Sequence, residues 1–242
     1  MRYFIRLAYD GTSYHGWQIQ PNAITVQGEL ERCLSTILRR PVGIVGAGRT
    51  DTGVHARTMY AHFDVPMEID RHQTAYHLNR ILPPDIAVYE IEHVADDMHA
   101  RFSAKSRTYR YYIHTRKTPF SRHYSLETHY RLDFDIMNLA ASHLLETHDF
   151  AAFCKAGSDV KTTICHVFHA SWIEHSRGEW YFEITADRFL RNMVRAVVGT
   201  LVDVGRGRLS LEEFKAIIES RRRSNARESM PPQALFLEDI TY

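Results

Sequence analysis

The chain has 242 residues, 44% hydrophobic and 24% charged, which is the make-up of a soluble globular protein with room for one large domain or two modest ones. A formal net charge of +1 argues weakly, by itself, against nucleic acid, and no apolar run approaches the ~20 residues that span a bilayer, so no membrane association is expected. The opening Met1-Arg2-Tyr3-Phe4-Ile5-Arg6-Leu7 is too short and too charged for a secretory signal, and Cys33, Cys154 and Cys165 form no CxxC pair, so a cytoplasmic protein without a disulfide framework is expected.

Residues 3–9 alternate as a strand and stop at the turn signal Asp10-Gly11. Thr25 caps a helix whose apolar stripe is Val26, Leu30, Cys33, Leu34, Ile37 and Leu38, and Pro41 ends it. Residues 42–47 read as a short strand before a glycine-punctuated loop, and residues 60–65 as another strand. Asp70 with Gln73 makes a capping box for a helix stopped by Pro83-Pro84, and residues 86–93 return as a strand.

The second half repeats this rhythm. Residues 107–115 form a tyrosine-rich strand, and Asp135 caps a helix with Ile136, Leu139, Ala140, His143 and Leu144 on one face. Residues 167–175 and 180–186 pair around Arg177-Gly178. A long helix is expected from about Arg188 to Val204, ending at Gly205. Ser210 and Glu213 box the last helix, and a final strand covers 235–240. The alternation predicts an α+β fold of two similar subdomains, 1–100 and 101–242, with antiparallel-rich sheets and helices packed on one face. No convincing sequence identity relates the halves.

Charge is unevenly distributed. Residues 99–131 carry eight cations, Arg101, Lys105, Arg107, Arg110, Arg116, Lys117, Arg122 and Arg131, against the single acid Glu127. Residues 85–97 carry five acids and no cation. All but five of the thirty cationic residues are arginine, whose planar fork suits phosphates and stacked bases. A solvated face is the other reading of such a stretch.

The most unusual segment is Gly46-Ala47-Gly48-Arg49-Thr50-Asp51-Thr52-Gly53-Val54-His55-Ala56. Its glycines let the backbone turn tightly and approach a ligand. No Gly-Lys-Ser/Thr follows, and the GxGxxG spacing fails, so neither nucleotide fingerprint is present. What remains is a loop offering Arg49 and Asp51 two residues apart. On composition alone it reads as an Asx turn with a surface arginine, or as a site. Cys154, Cys165, His166 and His169 lack zinc-ligand spacing, so no metal site is expected. Arg221-Arg222-Arg223 closes a helix, where positive charge is favourable anyway.

Gly48 to Ala56 resembles the signature of the tRNA pseudouridine synthase A family, with Thr52 where alanine is common. Further segments match that family in order: Tyr9-Asp10-Gly11-Thr12 through Tyr14, Gly16-Trp17-Gln18 and Gln20; Val26-Gln27-Gly28-Glu29-Leu30-Glu31; His99-Ala100-Arg101-Phe102-Ser103-Ala104 with Arg107, Tyr109 and Tyr111; Asp149-Phe150 with Phe153; and Phe189-Leu190 with Met193-Val194-Arg195, Val198 and Gly199. The resemblance implies an isomerase that detaches uracil from its ribose and rejoins it through carbon at tRNA positions 38, 39 and 40 in the anticodon stem-loop. It implies a homodimer, an active-site cleft between the subdomains and no cofactor.

By the same resemblance Asp51 is the catalytic carboxylate, acting at C1′ or C6. Breaking a glycosidic bond builds positive character at C1′, which a carboxylate traps or stabilises. Tyr109 stacks on the flipped base and helps remove the C5 proton; on sequence alone the reading as a half-buried strand tyrosine is the favoured one. Arg195 pairs with the aspartate, Arg49 displaces the target base, and Leu235 lines the uracil pocket. Ala234 departs from the glycine usual before that leucine. Arg101, Lys105, Arg107 and Arg110 are expected to hold tRNA. So are Arg188 and Arg191, which share a face with Arg195 at i, i+3 and i+7 of the expected helix. His55 is expected to support the loop by hydrogen bonding.

Overall fold

In the computed structural model, which describes residues 1–158 and 160–242, the alternating residues of Arg2–Tyr9 form strand β1. Tyr3, Ile5, Leu7 and Tyr9 fall on one face by the period of two and are all buried. Burying each such side chain contributes about 1.5–3 kcal/mol. β1 pairs antiparallel with β3 (His55–Asp64) on one side and with β4 (Ile86–Val94) on the other, in registers that include Tyr3↔Phe63 and Ile5↔Ile91. The short β2 (Val45–Gly46) lies on β3, and the last strand, β9 (Leu235–Thr241), also lies beside β3. On the opposite face of β1, Phe4 meets the rings of Tyr60 and Tyr242.

Two helices complete this unit. α1 (Val26–Leu38) buries Val26, Leu30, Cys33 and Leu34, and Thr25 Oγ1 accepts the Gly28 N–H at 3.3 Å as its cap. Arg39, in the left-handed conformation with φ 52, stops it two residues before Pro41. α2 (Arg71–Ile81) is capped by Asp70, which accepts from Gln73 N at 2.9 Å, and packs on β4.

By internal contacts the chain divides into Met1–Lys105 with Leu237–Tyr242, and Ser106–Phe236. The second unit carries the strand order β5 (Ser106–His114), β8 (Glu179–Ala186), β7 (Val167–Ser176), all antiparallel neighbours. The two-residue β6 (Leu126–Glu127) runs parallel to β5. α3 (Phe134–Glu146) packs on β7 and against α4 (Met193–Gly205), and α5 (Leu211–Ser220) opens with the expected Ser210–Glu213 capping box. The class is therefore α+β with largely antiparallel strands, as the alternation predicts.

Four expectations about the elements need correction. The strand expected at 42–47 shrinks to two residues, because side chains take its backbone hydrogen bonds. Ser35 Oγ accepts from Val42 N at 3.0 Å and Glu31 Oε1 from Ile44 N at 2.9 Å. β3 begins at His55, five residues earlier than expected, so the end of the signature is itself part of the sheet. α3 is capped by Asp133, not Asp135; Asp133 Oδ1 accepts from the nitrogens of Asp135 and Ile136. The buried face accordingly turns to Met137, Ala140, Ala141 and Leu144, leaving Leu139 58% exposed.

The fourth correction touches the candidate site. α4 starts at Met193, so Arg188 and Arg191 lie outside it and share no helix face with Arg195. Other bonds hold that backbone. Arg107 Nη1 donates to Asp187 O at 2.7 Å, Lys155 N donates to Arg191 O at 3.1 Å, and Asn192 sits in the left-handed region with φ 66.

Candidate active site

The loop between β2 and β3 is gripped by the stretch that follows β1. Thr50 is buried, and its hydroxyl lies 2.9 Å from that of Tyr9. Its carbonyl accepts the Trp17 N–H at 3.3 Å, Tyr14 O accepts from Gly53 N at 3.4 Å, and Val54 N closes a turn onto Asp51 O at 3.1 Å. Gly16 holds φ +85, and a Cβ there would stand 2.4 Å from Thr50 O. No larger residue fits without moving the loop. Gly11 is as tightly constrained, since its Cβ would fall 2.0 Å from Val54 O.

His55 fastens the far end of the loop, as expected. Its ring is 1% exposed, and Nδ1 stands 3.0 Å from the Gly11 nitrogen and 3.0 Å from Asp10 Oδ1, so one ring atom closes the turn in either tautomer. Asp10 Oδ1 also accepts from Thr12 N and Oγ1 at 2.9 and 2.6 Å. The Tyr14 hydroxyl donates to Asp85 Oδ1 at 2.6 Å, and burial together with that carboxylate holds its pKa well above the ordinary tyrosine value. Asp51 emerges half-buried and Arg49 exposed, on backbone fixed to either side of the carboxylate. A group fixed this way gives up little freedom when it reacts.

In the second unit Tyr109 lies on β5, half-buried, with its ring edge-on to Phe189 at 5.0 Å. Two residues on, Tyr111 is fully buried and donates its hydroxyl to Pro231 O at 3.0 Å. Burial keeps that hydroxyl far above its usual pKa, against an opposing influence of Arg195. Arg195 lies in the first turn of α4. Its Nε donates to Met230 O at 2.6 Å while its own carbonyl accepts from Met230 N at 3.1 Å. The same stretch is secured by Asn192 Nδ2 donating to Ser229 Oγ, and by Arg223 Nη2 donating to that oxygen at 2.9 Å. Arg195 and Tyr111 are thus tied to neighbouring residues of one segment, 230–231. Leu235 opens β9 and is 5% exposed, and Ala234 before it is fully buried.

The residues expected to hold tRNA differ in their surroundings. Arg101, Lys105 and Arg191 are exposed, and Lys105 Nζ donates to Tyr242 O at 3.1 Å. Arg107 and Arg188 are half-buried. Arg110 is matched across strands with Glu183, its Nε 2.7 Å from Oε2, and stacks 4.7 Å over Tyr181. Much of its charge is therefore compensated before any ligand arrives. Cys165 is fully buried and its thiol is pushed up to about 12, chiefly by burial, which leaves it unsuited to nucleophilic work.

Sequence reasoning gave no role to Tyr9, Gly11, Gly16 or Asp85. The signal for the first three lies in the opening segment from Tyr9 to Trp17, whose glycines and aromatics suit a clamp rather than a strand end; Asp85, after Pro83-Pro84, carries no such signal.

An α+β fold of this order agrees with what sequence comparison finds. A family model described as tRNA pseudouridine synthase matches residues 6–103 and 140–242, and the chain belongs to that family. That family isomerises uridine to pseudouridine in tRNA. Asp51, Arg49, Arg101, Arg188, Arg191, Arg195 and Leu235 fall within the matched segments; Lys105, Arg107, Tyr109 and Arg110 lie between them. The chain is 55% identical over 243 residues to the tRNA pseudouridine synthase A of Bacteroides thetaiotaomicron, covering 100% of this chain and 90% of the relative. It is 41% identical over 246 residues to that of Bacillus subtilis, covering 100% and 99%.

Proposed function

We propose that this protein converts uridine to pseudouridine at positions 38, 39 and 40 of the tRNA anticodon stem-loop, with Asp51 as the catalytic carboxylate and no cofactor. The observation that carries the reading is the clamped loop, which keeps Asp51 half-exposed while burying the residues that hold it. The relatives' names and coverage support the substrate class.

The chemistry is an exchange of bonds at one carbon. The N1–C1′ bond breaks, positive character builds at C1′, and the Asp51 carboxylate stabilises or traps it. Uracil turns, C5 joins C1′, the C5 proton leaves, and N1 gains one. Nothing is oxidised or hydrolysed. In this reading Tyr109 stacks on the displaced base and assists loss of the C5 proton. Arg195 supplies the positive charge that the aspartate's chemistry requires, Arg49 helps extrude the uridine from its stack at a cost of a few kcal/mol, and Leu235 walls the uracil. Residues 1–100 carry the aspartate loop, and residues 101–242 carry the tyrosine strand and Arg195. Arg101, Lys105, Arg107, Arg110, Arg188 and Arg191 contribute to the tRNA surface of a cytoplasmic homodimer.

The test is incubation with an unmodified tRNA transcript carrying tritium at C5 of uridine, followed by mapping of pseudouridine. The reading expects tritium release with product at 38, 39 and 40. Product at other uridines would overturn the positional assignment, and no release would overturn the activity.

A further inference from the structure

Residues 99–103 form a turn whose His99 and Ser103 side chains bond its own backbone while one large apolar ring stands exposed. His99 Nδ1 accepts from both Arg101 N and Phe102 N, at 3.1 and 3.3 Å. His99 N donates to Ser103 Oγ at 2.9 Å, and Ser103 N returns to His99 O at 2.9 Å. Ala100 is fully buried, with its N–H on His62 Nδ1 at 3.1 Å and its carbonyl accepting from the Tyr242 hydroxyl at 2.7 Å. Lys105 N bonds Thr241 O at 2.8 Å just beyond.

On this framework Phe102 is 76% exposed. Its ring is backed by the His99 imidazole at 4.4 Å, tilted by 35°, and His99 in turn meets His62 edge-on at 4.6 Å. The Arg101 guanidinium carbon lies 5.6 Å over the same ring. Leaving a phenylalanine in water forgoes the stabilisation that its burial would give. A loose loop could fold such a ring away, but this turn has its backbone tied and cannot. Both imidazoles act as acceptors through Nδ1, and both are held below the ordinary histidine range, first by burial and then by Arg2. The framework therefore persists at neutral pH. A rigid aromatic beside exposed Arg101 and Lys105 matches one ligand chemistry, a π-faced base joined to a phosphate.

We propose that Phe102 is a nucleobase-stacking residue, which packs its ring on an unpaired base of the bound tRNA while Arg101 holds the adjoining phosphate. This rests on the tRNA substrate proposed above. His62 braces His99 edge-on and His99 backs the Phe102 ring, on which the base packs. Such stacking is indifferent to base identity, so it anchors the RNA without choosing the uridine.

The test measures the Kd of an unmodified tRNA transcript at several salt concentrations for the full-length wild type, Phe102→Ala, Phe102→Leu, Phe102→Trp and Arg101→Ala. Wild-type tritium release on the same transcript is checked first, so that failure of the activity is told apart from failure of the stack. Phe102→Ala is expected to weaken binding about 5- to 150-fold with an unchanged salt slope, because no phosphate contact is lost. Phe102→Leu stays weak, because it keeps apolar bulk without a π face. Phe102→Trp binds within about twofold of wild type, with tRNA quenching its added indole emission. Arg101→Ala lowers the salt slope by about 0.7–0.9. Wild-type affinity in Phe102→Ala or Phe102→Leu would overturn the proposal. So would a changed oligomeric state of Phe102→Ala in sedimentation, which would make the ring a protein contact.

Discussion

The Tyr9 hydroxyl lies 2.9 Å from Thr50 Oγ1, one residue before Asp51, and joins the end of the first strand to the loop that carries the carboxylate. Both residues are buried, so this contact fixes the aspartate's backbone away from competition by water.

Tyr9→Phe keeps the ring and removes the bond. Thr50 loses a buried partner, at a cost of about 1–3 kcal/mol in stability. The single-turnover rate is expected to fall more than tRNA affinity does, because the binding surface is untouched. Gly16→Ala is expected to cost more, since it strains a φ of +85 and drives Cβ against Thr50 O. Urea unfolding and single-turnover assays on both variants check this; wild-type rates in both would deny the clamp a role in positioning Asp51.

His62 gives the protein a pH dependence of predictable sign. It is 4% exposed, and its pKa is pushed down to about 4 by burial, then by Arg2 and His99, with Asp64 opposing. The unfolded chain takes up a proton near pH 6.5 and the folded one does not until about 4. The neutral ring's contribution is therefore complete above about pH 6.5 and is lost as pH falls toward 4. His62→Gln removes the titration, so the drop in Tm between pH 7 and pH 5 should be smaller in that variant. An identical drop in both proteins would contradict the assignment.

Arg195 is anchored through Nε to Met230 O. Arg195→Ala is expected to slow the single-turnover rate at saturating enzyme by more than about tenfold, beyond any loss in tRNA affinity, as removal of a charge acting on the reaction would do. Arg195→Lys keeps the charge but not the fork, and should recover only part of the rate. Equal rates for wild type and Arg195→Ala would reduce the residue to a structural tie.

Much of the fold is legible in the residues. The Val26–Leu34 stripe, the Asp70 cap and the Ser210–Glu213 box identify α1, α2 and α5 because local periodicity and capping decide those elements. Where long-range bonds decide, sequence reading fails. Residues 188–192 have helical spacing, yet partners as distant as Lys155 and Arg107 hold that region outside the helix. His55 and Arg57 look too polar to begin a strand, and only the pairing of Ala56, between them, with Tyr9 puts them in one. Asp51 stands out through the ordered motif around it. The clamp that holds it does not, because Tyr9 and Thr50 are forty-one residues apart and no spacing rule connects them.

Asp51→Asn tests the account most directly. The substitution is nearly isosteric and sits on a loop held by other residues, so folding and tRNA affinity should match wild type while the charge and nucleophilicity vanish. Measured as tritium release from C5-labelled tRNA in a single turnover at saturating enzyme, the variant is expected to show no release above background. Release at the wild-type rate from purified Asp51→Asn would contradict the catalytic assignment.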